Sequence, residues 1–342
     1  MPSRRWSIEL DGAQDPSGLF VDRAGRIVVS TTRRVESDEP GGISNIVVTQ
    51  VKPPSTKYIN DHVHHCYVID PVGRVDWMAN AVNVRCESPD GKLVGINERS
   101  DLLLLDRAGH LLEARAVGNP WSIAGWAGDD PIITSTPGAK WVAPHLYSFH
   151  ERHLHRYDAR GQLLEKMPIS RELFDTACRQ RPELASWPDS LKFPYKLDLE
   201  YHQHSGRLIA SHWPLLAWTA GLRLDGTVDW VTLTGDGCCN NGCLVGGSVF
   251  VHASSCGNQV TFVSPDGSVL QKREVALAGR CFPSDNDSVG VTASNAIHAF
   301  DLRGAPLWTL DVPNVRTATA FGGVLYTVSG ETKLEVAAFA IR

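Results

Sequence analysis

An all-β fold assembled from a repeated four-stranded unit is the architecture this sequence predicts, and three observations carry the prediction. An apolar-x-Asp-x-x-Gly motif followed by alternating apolar residues recurs along the chain. A second tight turn precedes it at a regular distance. The first residues of the chain supply a strand that the last unit lacks.

The motif appears as Val68-Ile-Asp-Pro-Val-Gly-Arg-Val-Asp-Trp77 and Leu104-Leu-Asp-Arg-Ala-Gly-His-Leu-Leu112. It returns at Arg156–Leu164 and Ala299–Trp308, with shortened versions at Leu224–Trp230 and Ser264–Leu270. Its physics is that of a hairpin. Asp bonds back to the turn backbone, Gly takes the positive φ of the turn, and alternating apolar residues on either side make half-buried strands. An earlier hairpin, as in Asn83–Ile96, completes a unit of strands A, B, C and D. Four-stranded units of about 40 residues are propeller blades.

Six outermost D strands follow: 74–82, 110–117, 162–169, 227–234, 268–275 and 305–312. The unit from Asn314 supplies only A, B and C, and residues 5–10 (Arg-Trp-Ser-Ile-Glu-Leu) provide its missing D strand. Pairing the two ends closes the ring and removes both free sheet edges. The prediction is an all-β, seven-bladed β-propeller in one domain, 1–342. Its blades lie near 12–82, 83–117, 118–169, 191–234, 235–275, 276–312 and 313–342 plus 5–10.

The Asp-x-x-Gly-x-x-x-Trp units resemble the repeats of the quinoprotein-like and WD40-like β-propeller superfamily over nearly the whole chain. What the resemblance implies is architecture, because propellers host many unrelated functions.

Composition narrows the partners. The chain has 342 residues, 42% hydrophobic and 21% charged, with a formal net charge of −5. Its longest basic runs are the pairs Arg4-Arg5 and Arg33-Arg34, so neither nucleic acid nor an anionic membrane is an expected partner. No phosphate-binding glycine loop occurs, so no nucleotide is expected, and Gly-x-Ser-x-Gly is absent. Glu9 and Asp11 interrupt any apolar leader, and no stretch approaches the ~18 apolar residues of a membrane span. A cytoplasmic location is expected.

Chemistry-bearing residues are expected on one rim. In a radial blade the D–A and B–C connections share a rim, called the top below. The longest insertions, 31–61 and 137–150 as B–C connections and 170–190 as a D–A connection with a short helix at 171–178, all fall there. Long loops on a rigid scaffold tend to carry function. Asp61-His-Val-His-His-Cys66 ends the first of these loops. Cys86, Cys239, Cys243 and Cys281 enter A strands, His202 and His204 lie near another, and His212, Trp213 and His252 are placed at the ends of B strands.

Three chemistries compete for this rim. His62, His64, His202 and His204 with Cys86 and Cys281 could hold zinc, copper or iron, since imidazole and thiolate suit those metals. The bland alternative is buried thiols and hydrogen-bonded imidazoles. Arg85, Arg280 and Arg316 occupy matching places in three blades and could surround a small anion, with His212 and Trp213 beside it. The structural alternative is arginines that tie blades together. In such an enzyme His202, His204, His65 and Cys239 would be the catalytic candidates. The adjacent Cys238-Cys239 is similar to the vicinal pair of quinone-dependent alcohol dehydrogenases. This chain is much shorter and has a different blade count, so pyrroloquinoline quinone is not expected.

The leading expectation is a small-molecule enzyme on an anionic substrate. Its rival is a non-catalytic propeller that grips a protein partner through the same loops. Trp121, Trp126, Trp141, Trp187, Trp213 and Trp218, all assigned to the top, suit either.

Overall fold

The computed structural model describes residues 2–10, 15–37, 58–87, 91–96, 101–116, 122–127, 130–134, 139–142, 145–150, 153–157, 163–169, 198–202, 205–212, 216–236, 240–254, 258–331 and 333–341. Every regular element among the described residues is a strand. The chain opens with β1 (Ser3–Leu10). A first sheet follows: β2 (Asp15–Val21), β3 (Ile27–Ser37), β4 (Tyr58–Ile69) and β5 (Val75–Asn80). The second is β6 (Asn83–Glu87), β7 (Leu93–Ile96), β8 (Asp101–Leu105) and β9 (Leu111–Ala116). A two-stranded hairpin comes next, β10 (Ser122–Ala127) with β11 (Asp130–Thr134). The third four-stranded sheet is β12 (Ala139–Val142), β13 (His145–His150), β14 (His153–Tyr157) and β15 (Leu163–Pro168).

The fourth is β16 (Asp198–His202), β17 (Arg207–His212), β18 (Leu216–Leu222) and β19 (Val228–Asp236). The fifth is β20 (Asn240–Val245), β21 (Val249–Ser254), β22 (Gln259–Val263) and β23 (Val269–Glu274). The sixth is β24 (Cys281–Pro283), β25 (Ser288–Thr292), β26 (Ala296–Asp301) and β27 (Pro306–Asp311). The last three strands are β28 (Val315–Phe321), β29 (Val324–Ser329) and β30 (Leu334–Ala340), and β1 pairs antiparallel with β30 to complete the seventh sheet. The expected borrowing of the N-terminal strand is therefore seen directly.

The Asp-x-x-Gly turns have the predicted chemistry. The Asp70 carboxylate accepts the N–H groups of Val72 (3.0 Å) and Arg74 (2.8 Å), while Gly73 donates to the Asp70 carbonyl (3.0 Å). Asp106 and Asp301 repeat the pattern. Asp22 repeats it too, in an A–B turn. After the turn each of β5, β9, β15, β19, β23 and β27 carries one extra residue against its partner strand. Such a bulge sharpens the local twist and re-aims side chains.

Adjacent sheets are locked by tryptophan. Trp6, Trp77 and Trp230 project from outermost strands and donate Nε1–H, each at 3.0 Å, to the turn carbonyls of Pro71, Arg107 and Pro265 in the next sheet. Each rests on the glycine of that turn. Trp308 reaches the seventh sheet by packing on its apolar face. Trp77, Trp230 and Trp308, which end the repeat motif in the sequence, thus pack between adjacent sheets. The core follows the same logic. Its clusters are layers between sheets, seventh on first, first on second, third on fourth, fifth on sixth and sixth on seventh.

Four expectations need correction. The first insertion is shorter than 31–61, because β3 and β4 stay paired out to Ser37 and Tyr58. His62, His64 and His65 are therefore inside a strand ladder. The described residues of 137–150 are strand, not loop. Ala139–Val142 and His145–His150 alternate and pair as the first two strands of the third sheet, and the span 118–169 holds a hairpin besides that sheet. Trp218 is not on the top surface; it is 1% exposed between the third and fourth sheets. His155, which shares one strand face with His153 and reads from the sequence as a surface residue, is buried at 8%. The helix expected at 171–178 lies outside the described residues.

Candidate functional site

Three first strands, β2, β6 and β28, and the hairpin strand β10 share one irregularity. Register skips a residue between Pro16 and Gly18, Val84 and Cys86, Ile123 and Gly125, and Val315 and Thr317. Arg85 and Arg316 are both the skipped residue, so their matching positions are real at the level of the backbone. Arg316 uses its guanidinium within the fold: Nη2 donates to the Asp15 carboxylate at 2.7 Å and ties β28 to β2. Arg280 stands one residue before β24. Its N–H donates to Thr292 Oγ1 at 2.8 Å and its side chain is exposed. The side chain of Arg85 is outside what is described.

The imidazoles and thiols are spread over several sheets. On β4, His64 Nδ1 lies 3.1 Å from Thr32 Oγ1, and His65 Nδ1 lies 2.8 Å from Asn80 Oδ1. Each of these histidines bonds within its own sheet. His202 is the last residue of β16 and opens the A–B turn, the end of the strand away from the D–A connection. Its Nδ1 accepts the Ser205 N–H at 3.1 Å and lies 2.6 Å from Ser205 Oγ. His202 therefore departs from the expected top position, because the chain reverses immediately after it. His252 is the fourth residue of β21, opposite Gly242, and not the end of that strand.

Cys243 and Cys281 are buried thiols, not disulfide-bonded, in the apolar layer between the fifth and sixth sheets. Cys281 Sγ donates to the Val251 carbonyl at 3.3 Å. Cys66 is fully buried. Burial pushes its thiol up to about 12, against smaller opposing pulls from hydrogen bonds with the Ser30 hydroxyl and the Val84 backbone. These thiols match the bland expectation of small core residues. His62, Cys86 and His212 are placed by their backbones in β4, β6 and β17. His204, Trp213, Cys238 and Cys239 lie outside the described residues. Among the described residues no three His, Cys, Asp or Glu side chains come together as a metal-holding group.

What sequence reading missed is a groove of about 650 Å³ between the sixth and seventh sheets. It runs along the face made by Ser7 and Glu9 of β1, Glu335, Ala337 and Phe339 of β30 and Thr327 and Ser329 of β29. Asp311 to Asn314 form the opposite wall. The signal was the run of small residues at every second position, Ser329 and Thr327 on β29 with Ala337 opposite. Small side chains cannot fill the space between two sheets.

No family model matches the chain, and no curated protein matches it. Solved structures do. The β-propeller domain of Myceliophteria thermophila Cps50 (Swd1) is similar at TM-score 0.59 and 10% identity, covering 100% of each chain. The Neurospora crassa Pan2 WD40 domain is similar at TM-score 0.53 and 8% identity, covering 98% of this chain and 95% of that one. BamB from Moraxella catarrhalis gives TM-score 0.48 and 11% identity, over 100% and 98%. At the level of fold, the chain resembles the propeller repeat superfamily.

Proposed function

We propose that this chain is a non-catalytic β-propeller that serves as a platform for a protein partner. In this reading the ring is closed, with seven four-stranded blades and the β10–β11 hairpin set among them. First strands of successive sheets support that closure: β2 lies beside β28 and β6, β12 beside β10 and β16, and β24 beside β20 and β28.

The observation that carries the reading is a recurrent apolar belt. Val75, Leu111, Leu112, Leu163, Leu164, Val269, Leu270 and Leu307 are between 41% and 57% exposed. All sit at the start of outermost strands, where the bulge sets two consecutive residues against one partner. Isolated exposed apolar residues are ordinary, but here they recur at one place in five sheets, a pattern that a partner would cover. Burying a single leucine fully is worth roughly 1.5–3 kcal/mol. The fourth sheet interrupts the belt. There Val228 is buried, and Asp229 is held by Arg223 (2.7 Å) and Arg207.

The test is affinity capture with the purified chain, then reconstitution with the recombinant captured protein in analytical ultracentrifugation. A stoichiometric complex that weakens when Leu111, Leu112, Leu163 and Leu164 are changed to Ser supports the reading. Turnover of a small anionic molecule that falls with Arg85→Ala, and no stoichiometric partner, would overturn it in favour of the enzymatic alternative.

A further inference from the structure

A crevice of about 390 Å³ opens between the third and fourth sheets, and the inference drawn from it rests on the platform reading above. Its walls are Glu165, Lys166 and Met167 of β15 and Asp225, Gly226 and Thr227 of the turn that precedes β19. At comparable junctions the chain fills this place itself. Trp6, Trp77 and Trp230 lie over the turn glycines Gly73, Gly109 and Gly267, and each donates Nε1–H to the carbonyl of the turn's second residue. Between the fifth and sixth sheets Gln271 covers Gly304 in the same way.

The junction of the third and fourth sheets has no such cover. Trp77 and Trp230 stand four residues after the glycine of their own turn, and at that spacing from Gly161 the chain has Glu165. Strand alternation puts Glu165 on the face of β15 that carries Met167 and Ile169, the face packed on the fourth sheet. The side chain at the indole's position is therefore an exposed carboxylate, and it pairs with Arg156 Nη2 of its own sheet at 2.8 Å. The fourth sheet's turn meets the strand two residues further on, where a Cβ at Gly226 would lie 3.0 Å from Met167 Cβ. Leu224 is the counterpart of Pro71, Arg107 and Pro265. Its carbonyl accepts no hydrogen bond among the described residues.

We propose that this crevice receives a tryptophan side chain of the protein partner, with the ring between β15 and the turn and its Nε1–H donated to the Leu224 carbonyl. An indole needs apolar contact for its body and one acceptor for its N–H, and this molecule meets both needs three times with its own residues. Leu163 and Leu164 are exposed at the start of the same strand, so a partner that covers the belt there reaches the crevice. Aromatic side chains seated in such recesses are where binding energy concentrates.

The test uses the full chain and two capped, fluorescein-labelled pentapeptides, Ser-Leu-Trp-Leu-Ser and Ser-Leu-Ala-Leu-Ser, in fluorescence anisotropy. The tryptophan peptide is expected to bind at least about ten-fold more tightly. Glu165→Trp, which restores the repeat's own indole, and Thr227→Trp, which fills the crevice from the turn, should each weaken that binding about ten-fold or more. Lys272→Trp, an exposed indole on β23, should leave it at the parent's value. A ring that finds the Leu224 carbonyl should also leave Glu165→Trp melting at or above the parent's temperature, and a lower melting temperature overturns the proposal. Equal binding of the two peptides, or tryptophan-peptide binding unchanged in both crevice variants, overturns it as well. The platform reading fails separately. A reconstituted partner complex that persists unchanged in both crevice variants removes the crevice and leaves the platform. Tryptophan-peptide binding that those variants abolish, with no partner complex, leaves the crevice and removes the platform.

Discussion

Gly267 sits at φ +89°, and a Cβ there would lie 2.5 Å from the Trp230 ring. The Asp-x-x-Gly glycine thus meets two demands, a turn that favours positive φ and a space that the preceding sheet's indole occupies. Gly267→Ala should cost about 2–4 kcal/mol, the sum of a left-handed alanine and a displaced ring. Gly247, at φ +63° with nothing near its Cβ position, carries only the first demand and should cost about 1 kcal/mol on the same change. Urea unfolding midpoints of the two variants check the difference. Cys66 makes a second residue-scale prediction. Its folded pKa is raised from 9.0 to about 12, so its contribution is intact below pH 9 and is lost as pH climbs from there towards 12. The native thiol should resist a thiol reagent at pH 8 and react only after denaturation, as a time course of labelling would reveal.

At the scale of elements, β1 does three jobs. It pairs along the length of β30, it sends Trp6 onto the Pro71 carbonyl, and it places Leu10 and Ile8 in the layer against the first sheet. Deleting residues 1–10 should leave β30 as an open edge and cost several kcal/mol, since the loss of Leu10 burial alone is worth about 2–5 kcal/mol in large-to-small core changes. The expected result is a melting temperature lowered by more than about 5 °C with a new tendency to aggregate, followed by circular dichroism and light scattering. The neighbouring Arg316–Asp15 pair is a weaker fastener. Both side chains are about two-fifths exposed, so a double-mutant cycle should give a coupling of about 0.2–1 kcal/mol.

For the whole molecule, stability is distributed over many similar layers and turns, and acid should erode it gradually. A side-chain hydrogen bond from His110 holds the Asp106 carboxyl below its ordinary value, a backbone bond from Thr227 does so for Asp225, and the Ser264 hydroxyl does so for Asp266. Carboxylates lowered in the folded state stabilise it above their unfolded pKa and lose that contribution as pH falls through the folded one. All three are exposed, so each effect is small. Melting temperature should therefore be flat near neutrality and decline below about pH 4, and Asp106→Asn should flatten that decline slightly. A thermal melt series across pH tests both statements.

The strand repeat, the turn chemistry, the indoles between blades and the borrowed terminal strand were all legible in the residues, because each depends on local spacing. Period-two alternation makes strands, Asp and Gly make the turn, and a missing D strand at one end finds its complement at the other. The division of 118–169 into a hairpin and a full sheet was not legible, since Ser122–Ala127 and Ala139–Val142 are equally plausible first strands until one sees which has two more strands beside it. Nor could the sequence tell a catalytic thiol from a packed one. Both are expected to enter strands; Cys281 begins β24 but Cys243 is the fourth residue of β20, and only the approach of the fifth and sixth sheets buries them together. The groove under Thr327 likewise belongs to tertiary structure. Small residues predict a gap only once a second sheet stands opposite, and the distance between sheets is set by every side chain in the layer, not by the few that line the opening.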